Sequence, residues 1–313
     1  MKTILVPLDG SALAEQILPY VAALAPLLEA RVRLLQVAHE PEAEVLVGAG
    51  ITSLYGAREP FEREHERARF VLEETLASAE SYLAARAAKL QDLGIEVSCV
   101  AQAGPAAEVI VELAHSPDVA LIAMATHGYS GLRRWALGSV ADRVVQAASA
   151  PVFLIRATQY TPAKPFALER VLVPLDGSGL AEQALPIAQQ LATNADAELV
   201  LVQAVSPRVE AYPSLLTQPA PPYGELLSKL HEYASAQLNI MAERLRAAGT
   251  RVTTIVENGH AAEVIVEDAT RRHASVIVMA THGRGGLRRW ALGSVADKVL
   301  HAAAIPLVLV RAR

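Results

Sequence analysis

The chain is one unit written twice, and that duplication constrains its fold more than any other feature. VPLDGSA, from Val6 to Ala12, returns in near copy from Val173 to Gly179. A longer string, THGYSGLRRWALGSVADRV from Thr126, returns as THGRGGLRRWALGSVADKV from Thr281. Self-similarity of this kind marks a repeated structural unit. Asp9 recurs 167 residues on at Asp176, whereas Gly128 recurs 155 residues on at Gly283, which makes the second copy 12 residues shorter. The shortening falls between the landmark pairs Val37/Ala204 and Gly104/Gly259. The stretches there, AHEPEAEVLVGAGITSLYGAREP and VSPRVEAYPSLLTQPAPPYG, are punctuated by Pro and Gly and read as surface insertions.

The 313 residues divide into two units of ordinary domain size, and 52% hydrophobic content can fill two cores. Only 4% of residues are aromatic, so Val, Leu, Ile and Ala must build those cores, which suits parallel sheet covered by helices. A net charge of −5 gives no electrostatic footprint for nucleic acid. The single Cys99 reads as a small buried hydrophobe on a strand, and no CxxC or Cys/His cluster supplies metal ligands. No apolar run approaches the ~18 residues of a membrane span. The opening MKTILVPLD reads as a strand and lacks a signal-peptide pattern, so a cytoplasmic location is expected.

In the first copy TILVPL, RVRLLQVA, IEVSCVAQ, VALIAMA and PVFLIR are strands. Ser11 can cap a helix through about Leu28, with Pro19 interrupting its middle as Pro186 does in the second copy. Phe61 to Leu93 is a long amphipathic helix stopped by Gly94. Shorter helices follow from Ala106 to His115 and over SVADRVVQAA. The second copy repeats the strands as RVLVPL, ELVLVQAV, TRVTTIV, SVIVMA and PLVLVR. Alternating β and α elements predict an α/β fold: two tandem doubly wound, Rossmann-like domains, each with a five-stranded parallel sheet. Residues 1–157 form the first domain, 158–169 the linker and 170–313 the second domain.

In such a sheet ligands lie beyond the carboxyl ends of the strands, where the strand order reverses. Asp9-Gly10 ends the first strand, and the loop from Ala125 to Ser139 follows the fourth. Gly138 and Ser139 introduce a helix whose first amides and dipole favour an anion. Gly128 permits close approach, and Asp9 can accept hydrogen bonds from ribose hydroxyls or a base amine. Each feature also has a structural explanation, since Ser139 to Asp142 fits a capping box and Asp9-Gly10-Ser11 is ordinary turn chemistry. Spacing alone leaves both explanations open. His127 and His282 read as loop histidines, because no Ser or Cys nucleophile accompanies them. Arg133-Arg134 and Arg288-Arg289 share the long loop and can steer polyphosphate, and Trp135 and Trp290 read as its anchors. Walker A, GxGxxG, GxSxG and HExxH signatures are absent.

These residues resemble the universal stress protein family in a tandem form. The family's nucleotide-binding members carry G-x2-G-x9-G-[ST] after the fourth strand. Here Ala125-Thr126-His127-Gly128, nine residues, then Gly138-Ser139 keeps that spacing, as does Ala280 through Gly283 to Gly293-Ser294. The departure is alanine at the first glycine of both copies, which is tolerable if that position is an extended strand end.

The resemblance implies an adenine nucleotide, ATP with or without Mg²⁺, in each cleft. Phosphates would meet Gly128, Gly138, Ser139 and Val140, with Ala125, Thr126 and His127 lining the loop; Pro7 and Asp9 would lie near adenosine and Val37 beside the base. The matching second set is Pro174, Asp176, Ala204, Ala280, Thr281, His282, Gly283, Gly293, Ser294 and Val295. The family's dimers pair through the last strand, so PVFLIR against PLVLVR would make an intrachain pseudo-dimer, with room for further homodimerisation. The expected activity is nucleotide-dependent binding of a protein partner, with at most weak ATP hydrolysis. The alternatives are a slow Mg-dependent ATPase or phosphotransferase using Asp9 or Asp176, and a nucleotide-free interaction module.

Overall fold

The computed structural model describes residues 1–38, 58–126, 137–157, 166–206, 223–282 and 292–312. The first repeat runs β1 (Lys2–Pro7), α1 (Ala12–Glu15), α2 (Leu18–Leu28), β2 (Ala30–Ala38), α3 (Arg58–Gln91), β3 (Val97–Ala103), α4 (Ala106–Leu113), β4 (Val119–Ala125), α5 (Ser139–Ala147) and β5 (Val152–Ile155). The second runs β6 (Arg170–Pro174), α6 (Gly179–Glu182), α7 (Leu185–Asn194), β7 (Glu198–Val205), α8 (Tyr223–Ala247), β8 (Val252–Asn258), α9 (Ala261–Arg271), β9 (Val276–Ala280), α10 (Ser294–Ala302) and β10 (Leu307–Val310). Most of both surface insertions lies outside the described residues, as does most of the linker.

The chain packs as two compact units. The first holds β1 to β4 in the order β3-β2-β1-β4, all parallel. The second holds β5 together with β6 to β10, in the order β5-β10-β9-β6-β7-β8. All its neighbours are parallel except β5 and β10, which run antiparallel with Phe153 opposite Val308. PVFLIR thus pairs with PLVLVR as expected, and the last strand of the first repeat belongs to the second unit. In each unit the strand order reverses beside the first strand of the repeat, between β1 and β4 and between β6 and β9.

Strands covered on both faces must be apolar throughout, and Ile4, Leu5 and Val6 of β1 are fully buried, as are Leu121, Ile122 and Ala123 of β4. One stripe of α3, Ala79, Leu83, Ala87 and Leu90, is buried at helical spacing. Ala234, Leu238, Ala242 and Leu245 repeat it in α8, each 155 residues on. Gly94, at φ +79, ends the first long helix as its sequence predicts.

Two expectations need correction. The helix from Ser11 to Leu28 is not one helix kinked at Pro19 but two, α1 and α2, with Pro19 in the first turn of α2. A proline there loses no hydrogen bond, because the first-turn amides have no helical acceptor. Fully buried Ile17 occupies the break, and Pro186 repeats the arrangement at the start of α7. Cys99 is exposed, not buried, since β3 is the edge strand of its unit.

Candidate functional site

Each unit has a cleft where its strand order reverses, about 300 Å³ in the first and about 230 Å³ in the second. The first is lined by Pro7 and Asp9 at the end of β1, Val37 from β2, Ala125 at the end of β4 and Thr126 after it, and Gly138, Ser139 and Val140 at the start of α5. The second is lined by Pro174, Asp176, Ala204, Ala280, Thr281, His282, Gly293, Ser294 and Val295. His127, Gly128 and Gly283 lie outside the described residues, as do the arginine pairs and both tryptophans of the long loops.

Local chemistry fixes the acidic edge. Asp9 Oδ1 accepts the Ser11 amide at 2.9 Å, and the Ser11 hydroxyl accepts the Ala14 amide at 3.1 Å, so one turn holds the carboxylate and starts α1. Asp176 accepts both the amide and the hydroxyl of Ser178, at 2.9 and 2.6 Å. Gly10 and Gly177 stand at φ 84 and 75, a region that favours glycine. Asp9 and Asp176 therefore do the turn's work while sitting on the cleft edge.

The opposite edge differs from the capping box expected of it. Gly138, not Ser139, is the N-cap of α5, and no side chain caps the helix; Gly293 repeats this at α10. Asp142 instead accepts a hydrogen bond from Gln146, at 2.9 Å. Gly138 donates to the Thr126 carbonyl at 2.8 Å, which brings the helix start against the end of β4. A Cβ on residue 138 would lie 3.0 Å from that carbonyl oxygen, so glycine has a packing reason here that needs no ligand. The geometry still leaves a helix N-terminus without a side-chain cap facing the cleft, an arrangement suited to an anion.

Ala125 and Ala280 are the last residues of β4 and β9, and neither has positive φ. Alanine at the first motif position therefore carries no backbone strain. His282 Nδ1 lies 3.1 Å from the Thr281 hydroxyl, and that hydroxyl also accepts the Ala312 amide at 3.3 Å. Sequence reasoning missed the apolar wall: Ala106, Ile110 and Met124 in the first cleft, and Ala261, Ile265 and Met279 in the second. Their one signal was identity between the repeats, which core residues share. Among the described residues no group of three or more His, Cys, Asp or Glu is placed to hold a metal ion, and no helix is long and apolar enough to cross a membrane.

The universal stress protein family model matches residues 1–156 and again 167–311. A universal stress protein of Mycobacterium tuberculosis strain H37Rv is 31% identical over 202 residues, 63% of each chain. The match thus spans less than two thirds of that relative's length. A universal stress protein of Methanocaldococcus jannaschii is 33% identical over 144 residues, 46% of this chain and 82% of the relative. In fold, the crystal structure of a universal stress protein from Archaeoglobus fulgidus superposes with a TM-score of 0.68 at 19% identity, covering 99% of this chain and 98% of that one. Two family matches, one on each repeat, mean that this chain belongs to the universal stress protein family and carries the family unit twice.

Proposed function

We propose that each unit binds one adenine nucleotide, ATP, in the cleft at its strand ends, and that occupancy governs binding of a protein partner. The observation that carries this reading is the meeting of a helix start without a side-chain cap and a turn-held carboxylate across one cleft, in both repeats. Phosphate oxygens match the first amides of α5 and α10. Asp9 and Asp176 are hydrogen-bond acceptors for ribose hydroxyls, and the Ala106/Ile110 and Ala261/Ile265 walls suit a base. The cleft volumes are at or just below the lower end of small-ligand sites, roughly 300 Å³, which fits a nucleoside with its phosphates at the rim.

Regulation by binding is favoured over catalysis by the cleft's chemistry. Among the described residues, Asp9 is the one acidic or basic side chain lining the first cleft, and Asp176 and His282 are those lining the second. A carboxylate whose Oδ1 already holds a turn is a poor general base, and phosphoryl transfer needs several groups to neutralise charge. Native mass spectrometry of freshly purified full-length protein tests the reading. Co-purifying ATP, ADP or AMP at up to two per chain supports it, and bare protein that stays bare after incubation with millimolar ATP excludes it. Phosphate release that falls to background in Asp9→Ala/Asp176→Ala would replace binding with slow hydrolysis.

A further inference from the structure

We infer that the two clefts are not equivalent, and that a Glu15–Tyr82–Arg86 clamp makes the first the more preorganised and tighter nucleotide site. The inference rests on the nucleotide reading above. Glu15 follows Ala14, which lines the first cleft. Its Oε1 accepts hydrogen bonds from the Tyr82 hydroxyl at 3.0 Å and from Arg86 Nε and Nη2 at 3.2 and 2.8 Å. The Arg86 guanidinium also lies 4.0 Å from the centre of the Tyr82 ring. Burial, the Glu15 carboxylate and, more weakly, the Asp9 charge outweigh Arg86 and push the Tyr82 phenol well above its ordinary value, so it remains a donor.

What the clamp holds is weak by itself. α1 is four residues long, and a single helical turn does not persist without tertiary support. The clamp ties it to α3, which is anchored by buried Leu83 and Ala87, each directly following one of Tyr82 and Arg86 in sequence. Because the Ser11 cap joins α1 to the Asp9 turn, the carboxylate edge and the Ala14 wall are fastened together.

The second unit keeps the turn, the cap and the glutamate, Glu182, but not the clamp. The residues 155 beyond Tyr82 and Arg86 are Gln237 and Met241, an alignment fixed by the buried pairs Leu83/Leu238 and Ala87/Ala242. Neither can supply a guanidinium. α6 also begins with Gly179 where α1 begins with Ala12, and glycine loses more backbone entropy on entering a helix. A ligand entering the second cleft must order more of its wall, and that ordering is subtracted from affinity.

Hydrogen exchange on the full-length chain tests this, first without nucleotide and then across an ATP titration. The amides of α1 should exchange about tenfold more slowly than those of α6, reflecting a rarer local opening. ATP should protect the first cleft at lower concentration than the second. Tyr82→Phe/Arg86→Met should shrink both differences to the part that Gly179 against Ala12 accounts for, while leaving the second cleft's midpoint unchanged as an internal control, and Tyr82→Phe alone, which keeps the guanidinium, should lose less. Equal exchange of α1 and α6 in the parent protein overturns the inference, as does a double variant that shifts both midpoints alike. Protection by ATP at neither cleft, with the ligand-free difference intact, defeats the nucleotide reading and the affinity claim resting on it, and leaves only the mechanical tether.

Discussion

The Gly293 amide donates to the Thr281 carbonyl at 2.9 Å, and a Cβ on residue 293 would stand 2.7 Å from that same oxygen. Backbone meets backbone here, so no flexible side chain can move aside. The matching distance at Gly138 is 3.0 Å. Helix α10 must therefore shift more than α5 to accept alanine, which shows why an ordinary φ of about −60° can still demand glycine.

Gly293→Ala is expected to destabilise the protein by about 1–3 kcal/mol, in the range of overpacking, and Gly138→Ala by less. Chemical denaturation of the two variants beside the parent protein checks the order. Two equal and negligible losses would show that the helix starts have slack.

Phe153→Ala should cost about 3–5 kcal/mol, since the change would empty a fully enclosed aromatic site. Phe153 is wholly buried on β5, opposite Val308 of β10, and packs edge-on against Phe166 with ring centres 6.5 Å apart. Thermal unfolding followed by circular dichroism reads the loss; a shift of only a degree or two would mean that β5 contributes little to its unit.

Asp118 gives a pH prediction. Hydrogen bonds from Ser116 and Thr3, then Arg31 and the Arg33 charge, hold its carboxyl well below its ordinary 3.8, against a smaller opposing effect of burial. Between the folded and unfolded values the unfolded chain binds more protons, so this stability is complete above pH 3.8 and drains away as pH falls toward the folded value. Asp118→Asn should lose about 2 kcal/mol at neutral pH, typical of charge-assisted hydrogen bonds, and the gap to the parent protein should narrow below pH 3.8. Denaturant midpoints measured across the acid range check it, and a gap constant with pH would remove the carboxylate from the account.

What could be read from sequence was local chemistry. Short apolar runs located all ten strands of the described residues, Asp9-Gly10-Ser11 announced a turn and cap, and Gly94 marked a helix end. What escaped depended on tertiary placement. Pro19 was visible, but whether the chain bends or breaks there turns on burying Ile17. Cys99 is exposed because β3 ends up at an edge, a fact of strand order. The cap of α5 fell one residue from Ser139 because Gly138 must hydrogen-bond to Thr126. The cleft's apolar wall carries no chemistry that distinguishes Ile110 from any core isoleucine.

Equilibrium dialysis of the full-length protein against radiolabelled ATP tests the central claim most directly. The account predicts saturable uptake approaching two nucleotides per chain, reduced by Asp9→Ala in the first unit and by Asp176→Ala in the second. No uptake at millimolar ATP would contradict it.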